Sequence, residues 1–278
     1  MRLLASTLIA IVLAGTSIRA QEPKAQYREQ KDPPPAAMSE KNQKYLDAYL
    51  KVWEDRMGKI EGLETKIIFT EIDAGPPLAK TVYTGDASLL KPNFAKMKLT
   101  DSANPANAKK WRHFVADGQY LWEYDYGKKI ARVLQLPKEG IGENAMMAFL
   151  FGMKAAEIKR RFDVSIDVDN KDKHNEFYLH ISIIPKARDD MQEFKKAELV
   201  LWKNNTDPKF ADQWMLPARL WFQHPNGNQV TWEFKNITTE KKFMKADFKA
   251  PGFPDKDWTS EWVKPPTPTV SRTVAPSK

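Results

Sequence analysis

The sequence predicts an α+β fold in which helices pack on one face of an antiparallel sheet. Several segments alternate apolar and polar residues, and the clearest of them runs from Phe162 to Val168. Alternation with a period of two is typical of antiparallel strands that bury one face. Turn residues separate these segments at 169–171 and 225–227, as expected for hairpins. A helical pattern of apolar residues precedes the first strand, which supplies the helical layer.

The first predicted element is a helix that begins after Ser39, a residue type favoured at helix N-caps. Apolar residues then recur at steps of three and four until Gly58 and Gly62 end the pattern. The residues of this stripe are Leu46, Tyr49, Leu50, Trp53, Met57 and Ile60. Because one side of the helix is apolar, we expect it to pack on the sheet.

Seven segments are predicted to be strands because their residues alternate. Their inward-facing residues are Met97 and Leu99; Tyr120, Trp122 and Tyr124; Ile130, Leu134 and Leu136; Phe162, Val164, Ile166 and Val168; Phe177, Leu179, Ile181 and Ile183; Ala218, Leu220 and Phe222; and Val230, Trp232 and Phe234. Segments 67–72 and 199–202 are strand-like but apolar on both sides, so their orientation stays open. Further helices are predicted at 144–151, 155–161 and 189–196.

The two ends of the chain differ from its middle. Arg2, the apolar run 3–14 and the small residues before Gln21 predict a signal peptide over residues 1–20. The run is shorter than the roughly 18 residues that span a bilayer, so an uncleaved anchor is the weaker alternative. Residues 21–37 and 263–278 are polar and proline-rich, which predicts a disordered linker and tail. One domain is predicted between them, over residues 38–262.

Composition excludes several classes of protein. The chain has no cysteine, which excludes lipid modification of a cysteine, disulfides and thiolate chemistry. Removal of the signal leaves about 42 basic against 36 acidic side chains, without a basic block, so nucleic acid is not an expected partner. This mild positive charge is compatible with an anionic lipid surface, although an ordinary solvated surface explains it equally well.

Catalytic motifs are also missing from the sequence. None of His113, His174, His180 and His224 has the spacing of a metal site. Residues 140–145 fit a Gly-x-Gly-x-x-Ala pattern, but the surrounding alternation is antiparallel and no parallel βαβ unit follows. We therefore expect neither a cofactor, nor a metal, nor an enzymatic activity.

Two motifs resemble those of a known family. Residues 91–94 read Lys-Pro-Asn-Phe, and Asp117-Gly118 precedes a strand in which Trp122 and Tyr124 are separated by one residue. In this order they resemble the LolA-like periplasmic lipoprotein carriers. The resemblance implies a curved antiparallel half-barrel sheet whose concave face is covered by helices, with a hydrophobic cavity for acyl chains between them. It also implies a periplasmic location and envelope proteins that donate and accept the cargo, and we expect a monomer.

The resemblance and the apolar pattern together predict the residues of the site. The expected ligand-binding residues are Met97, Tyr120, Trp122, Tyr124, Leu134, Met146, Met147, Leu150, Phe222, Trp232 and Phe234. The family places an arginine where this chain has Lys91, and that arginine hydrogen-bonds carbonyl groups of the lid helix. Lysine can reach a carbonyl group but lacks the planar guanidinium fork, so a weaker lid contact is expected.

The expected function is therefore that of a periplasmic carrier of acyl chains from a lipoprotein or a lipid. One alternative is a non-enzymatic envelope sensor or scaffold with the same fold. Another is that the apolar and aromatic residues only fill a core, because the sequence pattern alone does not distinguish a core from a binding cavity.

Overall fold

The computed structural model describes residues 38–136, 153–208, 210–253 and 255–263, with the backbone alone at position 189. The predicted signal peptide, most of both polar ends and the predicted helix 144–151 lie outside the described residues. Within the described ranges, no helix has the length and apolar character needed to cross a membrane.

The predicted first helix is present as α1 (Glu40–Gly58), and Ser39 is its N-cap. The hydroxyl oxygen of Ser39 accepts a hydrogen bond from the backbone N–H of Asn42 at 3.2 Å, which satisfies one of the free donors of the first turn. Two shorter helices follow, α2 (Ala155–Arg161) and α3 (Arg188–Glu193). Single 3-10 turns lie at Ala108–Lys110, Ala211–Gln213 and Lys245–Phe248.

Twelve strands in the described part of the chain form one sheet, with the order β12-β6-β5-β4-β3-β2-β1-β11-β10-β9-β8-β7. The strands are β1 (Gly62–Ile72), β2 (Lys80–Leu90), β3 (Phe94–Asp101), β4 (Arg112–Asp117), β5 (Tyr120–Asp125), β6 (Ile130–Gln135), β7 (Phe162–Ser165), β8 (Tyr178–Pro185), β9 (Lys196–Trp202), β10 (Pro217–Gln223), β11 (Gln229–Thr238) and β12 (Thr259–Val263). Neighbouring strands are antiparallel, except that β12 is parallel to β6. The predicted antiparallel sheet is thereby confirmed, and an open sheet of this width curls.

Strand register defines two faces of the sheet. Phe69 pairs with Trp232 on one side and with Tyr83 on the other, and Trp232 pairs with Leu220, so these residues share a face. We call this the core face and the opposite one the outer face. The core face continues through the strands as Phe162, Ile183, Leu199, Phe222, Phe234, Ile67, Ala87, Leu99, Phe114, Leu121 and Leu134.

The buried side chains of α1 belong to the same apolar cluster as the core face. Leu46, Leu50, Trp53 and Met57 contribute from the helix, and Ile158 contributes from α2. The amphipathic stripe predicted from the sequence is therefore the side of α1 that packs into the core.

Three strands were not predicted. These are β2, β4 and β12, and β12 adds the parallel pairing at the edge of the sheet. The two strand-like segments of open orientation are now placed: Phe69 and Leu199 lie on the core face, whereas Val200 lies on the outer face. The strand predicted over 162–168 ends at Ser165, before the hairpin turn.

Gly85 of β2 lies where the backbone of the neighbouring strand β3 approaches closely. Gly85 pairs with Ile67 and Leu99, and a Cβ atom at this position would overlap the carbonyl oxygen of Lys98. We predict that Gly85→Ala lowers the free energy of unfolding by about 1–3 kcal/mol, because backbone atoms must move to admit the methyl group. Urea unfolding followed by circular dichroism measures this change.

The matched control is Gly58→Ala at the last residue of α1, where a Cβ atom meets no atom within 4 Å. Its stability should stay the same or rise slightly, because alanine is the better helix former. Equal effects of the two substitutions would contradict the strand packing described above.

Candidate functional site

The core face belongs to the larger of the two apolar clusters in the described part of the molecule. Five residues predicted to bind a ligand lie on it, namely Met97, Leu134, Phe222, Trp232 and Phe234. Met97 is half-buried, whereas the other four are buried. The sequence thus identified residues of β3, β6, β10 and β11 that the sheet brings onto one continuous face.

Charged groups border the apolar core face at β1 and β4. A nitrogen of the Arg112 guanidinium lies 2.6 Å from a carboxylate oxygen of Glu71, and the same guanidinium lies over the rings of Tyr83 and Phe69 at 4.6 and 5.2 Å. Burial raises the pKa of Glu71, and the charge of Arg112 opposes this effect. No local sequence pattern indicates this pair, because its two members are 41 positions apart.

A second charged group lies on the same face at β5 and β6. The Arg132 guanidinium lies 3.7 Å from Glu123 and 3.5 Å from Glu261 of β12. Burial raises the pKa of Glu123, which Arg132 partly offsets. The core face is therefore apolar along most of its width. Its ion pairs involve residues of β1, β4, β5, β6 and β12.

The aromatic row of β5 lies on the other face of the sheet, so its predicted place beside the core-face residues was wrong. Trp122 pairs with Val115 and Val133, and Tyr124 belongs to a second apolar cluster with Val115, Ala131 and Trp258. Tyr120 shares the face of Trp122 by alternation. The period of two shows which residues lie together but does not show which side of the sheet they occupy. Leu121, between Tyr120 and Trp122, is the apolar residue that β5 contributes to the core face.

Residues 239–253 and 255–263, which we call the C-terminal strap, cover this outer aromatic row. Phe248 is buried against Phe94, with ring centroids 5.8 Å apart. The hydroxyl of Tyr124 donates to the carbonyl oxygen of Pro251 at 2.7 Å, and Trp258 packs beside Tyr124 at 6.0 Å. The outer face thus has its own cover, which explains why large aromatics occur there.

The far end of the strap exposes an aromatic residue. Trp262 of β12 is 59% exposed, and its ring meets Tyr120 edge-on at 5.3 Å and lies 6.2 Å from Trp122. The indole N–H of Trp122 donates to Asp117 at 2.8 Å, so this side chain has a fixed polar partner as well as ring contacts.

Lys91 contacts a carbonyl group of α1, whereas the predicted lid helix 144–151 lies outside the described residues. The ammonium group of Lys91 donates to the carbonyl oxygen of Met57 in the last turn of α1 at 2.8 Å. A cation at this end of a helix also interacts favourably with the helix dipole. Burial lowers the pKa of Lys91. The contact joins the start of the β2–β3 connection to α1, and any role in opening stays a prediction.

The remaining predicted site residues, Met146, Met147 and Leu150, lie outside the described residues.

Three of the four histidines have these structural partners: His174 contacts the Tyr49 hydroxyl at 3.1 Å, His180 lies 3.3 Å from Glu198, and His224 lies 2.8 Å from a backbone carbonyl. In the ranges that the structure describes, no cluster of three potential metal ligands occurs.

His113 lies on the outer face among tyrosines and lysines. Its ring stacks on Tyr124 at 5.0 Å, and its Nδ1 lies 3.1 Å from the hydroxyl of Tyr126. Burial, together with the positive charges of Lys98 and Lys96, lowers the pKa of His113 to about 4.

Comparison with known proteins gives structural likeness at low identity. No family model matches the chain, and no curated sequence matches it significantly. An uncharacterized conserved protein from Thermus thermophilus is 9% identical with a TM-score of 0.42, over 78% of this chain and 99% of the other. A LolA superfamily protein from Nitrosomonas europaea is 11% identical with a TM-score of 0.39, over 74% and 97%.

A chain of the MucA/MucB complex from Pseudomonas aeruginosa is 11% identical with a TM-score of 0.39, over 80% of this chain and 67% of the other. At these identities and TM-scores, the ligand and the function have to be argued from this chain's own residues.

The pKa of His113 predicts a specific pH dependence of stability. The unfolded state takes up a proton near pH 6.5, whereas the folded state does so only near pH 4. The contribution of neutral His113 to the free energy of unfolding is therefore complete above pH 6.5 and is lost as the pH falls towards 4. We expect wild type to lose about 2 kcal/mol more than His113→Phe over this interval. Urea unfolding at several pH values measures the difference, and parallel pH profiles would contradict it.

The Lys91 contact predicts a second stability effect. Lys91→Met removes the donor to the Met57 carbonyl oxygen and should lower the free energy of unfolding by about 1 kcal/mol. Lys91→Arg keeps a cationic donor at this position and should lose less. Thermal or urea unfolding of both variants gives the comparison. Equal stability of Lys91→Met and wild type would show that the contact contributes nothing.

Proposed function

We propose that this chain is a non-enzymatic binding protein that carries acyl chains of a lipoprotein or lipid against the core face of its sheet. The observation that supports this most directly is the continuity of the apolar face from Phe162 in β7 to Leu134 in β6. Sites for apolar ligands are lined by hydrophobic and aromatic side chains with a few polar groups at defined positions. The core face has this composition.

The helices of the described part are small compared with this face. α1 has 19 residues and is therefore about 28 Å long. Twelve strands at their usual spacing extend over about 53 Å if laid flat. α1 and α2 lie against β7, and α3 lies against β8. An acyl chain would have to enter among the side chains of the β2–β6 core face, because Leu99, Phe114 and Leu121 are no more than 6% exposed.

Burial of a hydrocarbon chain supplies enough free energy for such a function. A sixteen-carbon chain contributes on the order of 10 kcal/mol at about 0.8 kcal/mol per methylene, before the losses on binding. Met97 lies on this part of the face and is half-buried. Its unbranched side chain can change rotamer to admit a ligand, which a β-branched residue does less readily.

The charged groups at the margin give the ligand an orientation. Arg112 with Glu71, and Arg132 with Glu123, lie on the same face as the apolar side chains. The polar end of an amphiphile would lie beside these ion pairs, and its hydrocarbon end would extend over the apolar residues. This arrangement avoids burial of an unpaired charge.

The proposed setting is the bacterial periplasm. Cleavage of the predicted signal would release residues 21–278, with one ligand-binding domain over 38–262 between polar ends. In this setting a monomer would take its cargo from a donor protein of the envelope and pass it to an acceptor. Neither step requires a cofactor, because the acyl chain is transferred without covalent chemistry.

A second candidate function is that of an envelope sensor or scaffold. The observation that favours it is the exposure of Trp262 at the edge of the sheet, beside Tyr120 and Trp122. Under this alternative, the purified protein would hold a protein partner stoichiometrically. Trp262→Ala would release that partner, whereas a charge on the core face would not.

The carrier proposal predicts the outcome of placing a charge on the core face. Met97→Glu should reduce the lipid retained by protein purified from its native envelope at least tenfold, because a carboxylate replaces an apolar contact. Native mass spectrometry and extraction of bound lipid measure the retained amount. Circular dichroism verifies that the variant is folded.

Thr100→Glu is the matched control, because it adds the same charge to the outer face of the same strand. This variant should retain lipid like wild type. The carrier proposal would be overturned if wild type held no lipid and took up no acylated peptide, or if Met97→Glu retained as much lipid as Thr100→Glu.

A further inference from the structure

Five exposed lysines on the outer side of the sheet form no ion pair within the part of the chain that the structure describes. Two of them alternate on the outer face of β3, where Lys96 lies opposite Val115 and Lys98 lies opposite His113 of β4. The other three lie in the C-terminal strap, around its 3-10 turn at Lys245–Phe248. We call the five residues the outer basic patch: Lys96, Lys98, Lys242, Lys245 and Lys249.

The strap holds its lysines close to β3. Its 3-10 turn packs against β3 and β4, where Phe248 is buried on the ring of Phe94. The backbone N–H of Met244 donates to the Asp247 carboxylate at 2.8 Å, which closes the turn. The ammonium group of Lys245 lies over the Phe94 ring, 5.7 Å from its centroid. The strap lysines and the β3 lysines therefore share one surface.

The acidic side chains of the neighbouring strands leave this positive charge unbalanced, because each already has a lysine partner. On the outer face of β1, β2 and β11, these pairs lie 2.7–3.9 Å apart and are Glu64 with Lys241, Asp86 with Lys66, and Glu233 with Lys235. Residues 239–249 of the strap contain four lysines against Glu240 and Asp247. Part of the excess positive charge of the chain is therefore located at this patch.

An exposed apolar side chain lies among the strap lysines. Met244 is 69% exposed, and it lies between Lys242 and Lys245 in the sequence. A single exposed methionine is ordinary on a protein surface, but its lysine neighbours determine what it can contact. Apolar side chains flanked by lysines are typical of segments that bind at a membrane interface. There the apolar group enters the headgroup boundary, and the ammonium groups stay with the lipid phosphates.

We propose that the outer basic patch and Met244 form a docking surface for a bilayer that contains anionic phospholipids. In the docked state the lysines lie at the level of the lipid phosphates, and the side chain of Met244 enters between the headgroups. An acidic protein matches the charge of the patch equally well but does not require an apolar side chain beside the lysines. The inference goes beyond the proposed function, because the docking surface and the core face are on opposite sides of the sheet.

Co-sedimentation with vesicles tests the inference. The probes are vesicles of phosphatidylcholine alone and vesicles in which about one third of the lipid is anionic phosphatidylglycerol. Wild type should bind the anionic vesicles at low ionic strength and be released at high ionic strength, because salt screens the lysine charges. It should not sediment with phosphatidylcholine vesicles, since burial of one methionine side chain alone is insufficient.

Removal of two lysines from the patch measures the contribution of charge. Lys242→Gln combined with Lys249→Gln should weaken binding to anionic vesicles about 25-fold, because each lysine near such a surface contributes about fivefold. The matched control is Lys171→Gln combined with Lys173→Gln, which removes the same charge from the exposed connection between β7 and β8. The control should bind like wild type, and circular dichroism verifies that both variants are folded.

Replacement of Met244 distinguishes a membrane from a charged protein surface as the partner. Met244→Ser should weaken binding to anionic vesicles about tenfold, because an apolar contact with the lipid is lost. The salt dependence of its binding should stay like that of wild type, since no charge changes.

Three results would overturn the inference. Absence of wild-type binding to anionic vesicles would show that the lysines form only a solvated surface. Equal weakening by the two double substitutions would show that net charge, and not the patch, determines binding. Unchanged vesicle binding of Met244→Ser would favour an acidic protein as the partner of the patch.

Uptake of an acylated peptide keeps this inference separate from the carrier proposal. Lys242→Gln combined with Lys249→Gln should take up the peptide from solution like wild type, because neither residue lies on the core face. Absence of such uptake by wild type would overturn the carrier proposal and leave the docking surface intact.

Discussion

The need to cover both faces of one wide sheet is the constraint on which the rest of the structure depends. On the core face, apolar residues from β7 to β6 share a cluster with α1. On the outer face, the C-terminal strap packs Phe248 and Trp258 over the aromatic row. Each face therefore has a separate apolar cluster, and the free energy of folding comes from burial on both sides. The strap on the outer face ends in β12, whereas α1 on the core face contacts β7 and, through the carbonyl group of Met57, the β2–β3 connection.

Aromatic residues occur on both faces of the sheet, and the sequence pattern does not show which face each of them occupies. The row Tyr120, Trp122 and Tyr124 has the appearance of a ligand wall, yet its polar groups are held by Asp117 and Pro251 on the outer face. Trp53 and Trp232 lie in the core cluster instead. Strand register therefore distinguishes the two faces, whereas composition does not.

Much of the fold could be predicted because local patterns determine it. Ser39 and the apolar steps after it defined α1, and alternation located strands such as β8 and β11. β2 was missed because Gly85 and Asp86 interrupt its pattern, and β12 was missed because its residues are exposed. The ion pair of Arg112 and Glu71 depends on strand order, which no local pattern contains. The contact of Lys91 with α1 likewise depends on the tertiary structure, because the residues lie 34 positions apart.

The central claim is that the core face of the sheet, and not the outer face, holds acyl chains. Photo-crosslinking with a fatty acyl chain that carries a diazirine tests it most directly, followed by mass spectrometry of the labelled peptides. The account predicts that the label is found on core-face residues of β2–β6, such as Leu99, Phe114 and Leu121. Labelling confined to the outer row of Trp122 and Trp262 would contradict it.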